Sequence, residues 1–122
     1  MNELYRGREV AEANLIETDW GYLNWLASKE LTDTEDITVG RVMIKKGMSN
    51  PTHCHPNCLE VLYLLEGSLE HTIGDEKIAL EAGDTIIIPD GMMHNALNVG
   101  NKDAEMIVTY SSGERQFSVD CS

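Results

Sequence analysis

Positive charge is what this 122-residue chain has least of: nine Lys and Arg stand against 21 Asp and Glu, a formal net charge of −12. So acidic a surface repels phosphate backbones and anionic bilayers, so neither nucleic acid nor a membrane is expected as a partner. No apolar run approaches the roughly 18 residues of a membrane span. Met1 to Val10 is polar and charged, without the apolar stretch of a secretory signal, so a cytoplasmic location is the expectation. Cysteine is sparse and odd in number: Cys54, Cys58 and Cys121. Without an export signal, that count predicts reduced thiols and no disulfide framework, and it argues against a Cys54–Cys58 bridge. Low-complexity tracts, internal repeats and linkers are absent. What remains, 42% hydrophobic and 25% charged residues, is ordinary for a folded domain, and the length fits one core.

The segments between glycines and prolines are short, which favours strands. Thr38 to Lys45 alternates and is rich in β-branched residues. Glu60 to Leu65 is apolar and stops at Glu66-Gly67. Leu69 to Ile73 alternates up to Gly74-Asp75, a hairpin signal. Lys77 to Leu80, Thr85 to Ile88, His94 to Val99 and Glu105 to Tyr110 complete a set of short strands separated by turns, the pattern of an antiparallel sandwich or barrel. Trp20 to Ala27 reads as a further strand, packed on the barrel or across a dimer contact. Gly7 to Leu15 fits a short helix or a loose arm equally well. Three regions result: an N-terminal arm and strand over 1–36, a β-barrel over 37–112, and a polar tail over 113–122 free to fray, from which Phe117 and Val119 can still dock.

Three of the four histidines fall in two turn-rich stretches. His53 and His55 are two apart, so on an extended chain both point to one face. Glu60 lies five residues further on, which on an unbroken strand puts it on the opposite face. Pro56 and Asn57 intervene, and a break there rephases the chain and brings Glu60 to the histidine side. His94 follows a turn at Pro89 and Gly91. Three imidazoles and one carboxylate converging inside a barrel make a divalent-metal site with positions left for a ligand or water.

These stretches resemble the two motifs of the cupins. The first, G-x5-H-x-H-x4-E-x6-G, is met by Gly47, His53, His55, Glu60 and Gly67; the second, G-x5-P-x-G-x2-H-x3-N, by Gly83, Pro89, Gly91, His94 and Asn98. Two motifs in order are far more specific than a lone H-x-H. The resemblance implies an all-β, antiparallel jelly-roll barrel. It also implies one divalent transition metal per chain (Fe, Mn, Ni or Zn) held by His53, His55, Glu60 and His94, and a homodimer. It does not fix the reaction, because cupins include isomerases, lyases, decarboxylases, dioxygenases and non-catalytic binders.

The other candidates each carry two readings. His71 shares the apolar face of its strand with Leu69 and Ile73: a cavity acid or base near the metal, or a satisfied, half-buried histidine, the second favoured. Asn98 shares parity with His94, so it either supports the site or caps the strand end. Cys54, between two ligands, points away from the metal, and Cys58 is a ligand candidate or, more ordinarily, a small buried hydrophobe. Arg41 and Tyr63 are candidates for substrate recognition, with solvent the default for Arg41. Met92 and Met93 flank His94 and either shape the pocket mouth or fill core. Two functions compete. The first is a metal-dependent enzyme acting on a small oxygen-rich molecule (a sugar, keto acid or carboxylate), with His71 moving protons. The second is a binding or sensing module that uses the metal to anchor a small-molecule ligand.

Overall fold

A computed structural model describes residues 7–121. Nine strands and two short helices follow one another: α1 (Arg8–Ala13), β1 (Leu15–Glu17), β2 (Gly21–Ala27), α2 (Lys29–Thr32), β3 (Thr38–Ile44), β4 (Glu60–Glu66), β5 (Ser68–Ile73), β6 (Glu76–Glu81), β7 (Thr85–Ile88), β8 (His94–Asn98) and β9 (Ala104–Tyr110). Every strand expected from alternation is present. Between Gly7 and Leu15 the chain forms α1 and then enters β1. That strand and α2 are too short to carry a periodic signal. No helix among the described residues is long and apolar enough to cross a membrane.

Two antiparallel sheets result, one of six strands in the order β1-β2-β3-β9-β4-β7 and one of three in the order β6-β5-β8. This is the expected all-β jelly-roll arrangement. Gly74 and Asp75 make the tight turn between β5 and β6, with Ile73 paired to Glu76.

The alternation of each strand decides what faces inward. Thr38, Gly40, Val42 and Ile44 of β3 are buried, as are Ala104, Met106, Val108 and Tyr110 of β9. On β4 the inward set is Glu60, Leu62 and Leu64, so a carboxylate shares a face with core leucines. On β8 it is His94, Ala96 and Asn98, and on β5 it includes Leu69 and His71. Residues of both sheets build one apolar core. Leu64 and Leu69 are fully buried in it, each stabilising the fold by roughly 1.5–3 kcal/mol. Trp20 and Trp25 pack against the same core, the first of the two placements open for that segment. Gly40 makes this possible: a Cβ there would lie 2.7 Å from the Trp25 ring.

The C-terminal segment does not fray. Cys54 N donates to Ser118 O (2.8 Å) and Ser118 N to Cys54 O (3.0 Å). Asn57 Nδ2 donates to Glu114 O, and Asn57 Oδ1 accepts from Gln116 N. Cys54 and Cys121 are joined by a disulfide, their Cα atoms 6.4 Å apart. This corrects the reading of three reduced thiols. Counting cysteines cannot reveal that two of them, 67 positions apart, meet once the tail crosses the loop after β3. Cys58 alone is free, and it is buried.

Candidate metal centre

The four expected ligands meet between the sheets. His53 and His94 face one another in an antiparallel bridge, with His53 N donating to His94 O (3.0 Å) and His94 N to His53 O (2.8 Å). A turn at Pro56-Asn57 separates His55 from β4, which opens on Glu60 with its side chain inward. The rephasing expected from Pro56 therefore occurs. Gly91, at φ +72°, ties the two motifs together by donating its N–H to His55 O (3.0 Å).

One ligand atom from each of His53, His55, Glu60 and His94 lies within 4.8 Å of the other three, and all four residues are buried. Glu60 Oε1 is 3.2 Å from His94 Nε2 and 3.3 Å from His55 Nε2. The other nitrogen of each imidazole faces a backbone carbonyl. His53 Nδ1 is 2.6 Å from Pro51 O, His55 Nδ1 is 2.8 Å from Gln116 O, and His94 Nδ1 is 2.9 Å from Met92 O. A carbonyl only accepts, so each Nδ1 carries the proton and each Nε2 lone pair is free for a cation. His55 Nε2 is buried without a hydrogen-bond partner, and a divalent ion held by the cluster would satisfy its lone pair. These residues fit a divalent metal bound by three nitrogens and one oxygen, leaving up to two positions on an octahedral ion.

Protonation agrees with that use. Burial pushes the His53 imidazole down to about 4, keeping it neutral near pH 7. For Glu60 burial acts upward, but the imidazoles of His55 and His94 outweigh it and hold the carboxyl at about 2. The site thus offers a neutral imidazole at His53 and an ionised carboxylate at Glu60, forms that ligate metals.

A cavity of ≈ 60 Å³ adjoins the ligands. His71 is 2% exposed on its wall, stacked on His94 with ring centroids 5.8 Å apart. Neither of its ring nitrogens has a hydrogen-bond partner, so the favoured reading of a satisfied histidine does not hold. Burial lowers its pKa to about 4. Tyr110, edge-on to His55 at 4.8 Å, is raised well above the usual phenol range, first by burial and then by the Glu60 charge. Arg115 and Phe117, from the C-terminal segment, close the same wall. Docking of Phe117 is among the expectations for the tail, but docking on this cavity is not; Arg115 carries no signal in the sequence beyond being one of nine cations.

The remaining candidates fall outside the ligand group. Asn98 caps a turn, donating to Ile44 O and Lys102 O (both 2.9 Å) and accepting from Gly100 N. Cys58 packs in the core, and burial raises its thiol pKa. Arg41 lies outside, bonded to the Tyr22 hydroxyl and paired with Glu105 (3.3 Å). Tyr63 and Met92 are exposed, and Met92 serves the site through its carbonyl.

The family profile described as "Cupin domain" matches residues 40–110, more than half of the chain. The chain belongs to the cupin family. Among its relatives, oxalate oxidase GF-2.8 of Triticum aestivum is 34% identical over 89 residues, covering 66% of this chain and 40% of that protein. This cupin thus spans less than half the length of that relative. A solved recombinant oxalate oxidase in complex with glycolate superposes with a TM-score of 0.75 at 28% identity, covering 81% of this chain and 54% of the other. A Bacillus subtilis oxalate decarboxylase studied for its Mn(II) centres superposes at 0.81, covering 88% and 30%. At 21% identity that likeness concerns the fold alone.

Proposed function

We propose that this cupin is a metal-dependent enzyme acting on a small carboxylate of the oxalate and glycolate type, with Mn the metal to test first. The observation that carries this reading is the convergence of His53, His55, Glu60 and His94 beside so small a cavity. A cavity of ≈ 60 Å³, a few times the minimum for a single water, suits a two- or three-carbon acid better than a sugar. The relative named as an oxalate oxidase and the glycolate complex support the same class.

A divalent ion bound there supplies Lewis acidity and open positions for ligand oxygens. The protein's own groups do the rest. The carbonyls of Pro51, Gln116 and Met92 fix the tautomer and tilt of each imidazole. Apolar walls from Leu62, Val42 and Met106 exclude bulk water. His71, neutral at pH 7, stands ready to take a proton from, or donate its N–H to, a ligand oxygen.

The test loads the protein with Mn(II), Fe(II), Ni(II) or Zn(II) and assays oxalate, glycolate and a sugar panel for CO2, formate and peroxide. Metal-dependent turnover of a small acid is expected. Binding of the acid without turnover favours the second reading, an anchored binding module, which the largely apolar wall supports. Neither binding nor turnover of any acid overturns the proposal.

A further inference from the structure

Among the described residues, Arg115 is the only Lys or Arg on the cavity wall. Lys29, Arg41 and Lys77 pair with carboxylates, whereas Arg8, Lys45, Lys46 and Lys102 form no ion pair among the described residues. Among the described residues Arg115 pairs with none. Three aromatic rings hold it instead: its guanidinium carbon lies 4.5 Å from the Trp25 ring centroid, 5.1 Å from Tyr110 and 5.9 Å from Phe117. Ring faces orient a guanidinium without using up its N–H donors. The one side-chain atom within hydrogen-bond distance among the described residues, His55 Nδ1 at 3.5 Å from Nη1, already donates to Gln116 O and so cannot accept. A half-buried, planar fork of donors is therefore left without an acceptor among the described residues.

Its position adds a second argument. Arg115 and Trp25 line both the metal-side cavity and a larger open groove of ≈ 710 Å³ beside α2. The guanidinium thus stands where the inner cavity meets the outside. Across a surface of net charge −12, this local cation is what makes entry of an anion favourable.

We infer that Arg115 is the anion-recognition residue of this site, receiving a carboxylate in a two-bond fork while the ligand's remaining oxygens face the histidine–glutamate cluster. The inference rests on the proposed reading of the site as one for small acids, and it adds the group that selects charge. A guanidinium–carboxylate pair of this kind is worth roughly 10- to 100-fold in affinity.

The experiment compares Mn(II)-loaded wild type, Arg115→Gln and Arg115→Lys by calorimetric titration with oxalate, glycolate and the neutral glycolamide. Metal content and thermal unfolding are measured in parallel. Arg115→Gln is expected to bind both acids about 10- to 100-fold more weakly, and Arg115→Lys to fall between it and wild type. Glycolamide binding and metal content should not change. Acid binding within twofold of wild type in Arg115→Gln overturns the inference and leaves the reading of the site intact. Equal loss of glycolamide and acids, or loss of metal, makes Arg115 a packing residue and also overturns it. If wild type binds neither acid, both the inference and the reading fall.

Discussion

Phe117 lies nearly parallel to the imidazole of His53, with ring centroids 4.8 Å apart and planes inclined by 18°. The last stretch of the chain thus covers one face of His53, one of the four clustered residues, while its neighbour Gln116 supplies the carbonyl that orients another, His55. Phe117→Ala removes the cover and leaves the four ligands in place. Release of Mn(II) to a chelator should become several-fold faster, with stability lowered by about 0.5–1.5 kcal/mol. An unchanged release rate would show that the ring does not guard the ligand.

The Cys54–Cys121 bridge closes a loop of 67 positions. By chain entropy such a closure stabilises by about 4 kcal/mol, and measured values are usually smaller. Cys121→Ser is expected to lose about 2–4 kcal/mol in denaturant unfolding under oxidising conditions. The wild type treated with reductant should match it. Coincident unfolding curves for oxidised wild type and Cys121→Ser would refute the bridge's contribution.

Glu60 is the only anionic ligand in the cluster. Glu60→Gln keeps its shape and removes its charge, and His53→Ala removes a nitrogen. Each should weaken divalent-metal binding by more than the roughly 10- to 100-fold that loss of an outer partner costs. Elemental analysis after dialysis checks this, and full occupancy in either variant would remove that residue from the ligand set.

His71 buries two unpartnered ring nitrogens against the core. An apolar side chain of similar reach avoids that desolvation penalty, so His71→Leu should stabilise the metal-free protein by about 1–3 kcal/mol. The same variant should slow turnover of an acid substrate. Gain of stability with full activity would leave the histidine without a catalytic role.

Acid should destabilise the metal-free protein in two stages. His53 and His71 titrate at about 4 when folded and at 6.5 when free. Between those values the unfolded chain binds more protons, by about two at most, so stability falls as pH drops from 6.5 to 4. Glu60, at about 2 folded against 4.5, contributes stability above pH 4.5 that is lost as pH falls toward 2. The urea midpoint as a function of pH records both stages. A midpoint flat from pH 7 to 4.5 would contradict the first, and His71→Leu should roughly halve its slope.

Local signals made the ligand set readable. The two-residue spacing of His53 and His55, the break at Pro56-Asn57 and the turn before His94 each act over a few residues, and each folds as that chemistry dictates. The strands were readable for the same reason: their alternation records which side faces the core. Arg115, Phe117 and Cys121 carry no such record. They belong to a segment without periodicity, and their partners (Trp25, His53 and Cys54) lie more than sixty positions earlier in the chain. Asn98 and His71 fall between these cases. Parity placed both inward, but parity does not say whether an inward polar group finds backbone partners, as Asn98 does, or none, as His71 does.

The reciprocal backbone bonds between His53 and His94 have a consequence for ion selection. Because the two residues exchange both N–H···O contacts, peptide geometry sets the spacing of the backbones that carry the two imidazoles before any ion arrives. The folding reaction bears the cost of assembling that half of the site. An ion bound there would enter a gauge of nearly fixed width, and ions of different radius would be told apart by how far the other half, His55 and Glu60 on either side of the Pro56 turn, yields to meet them.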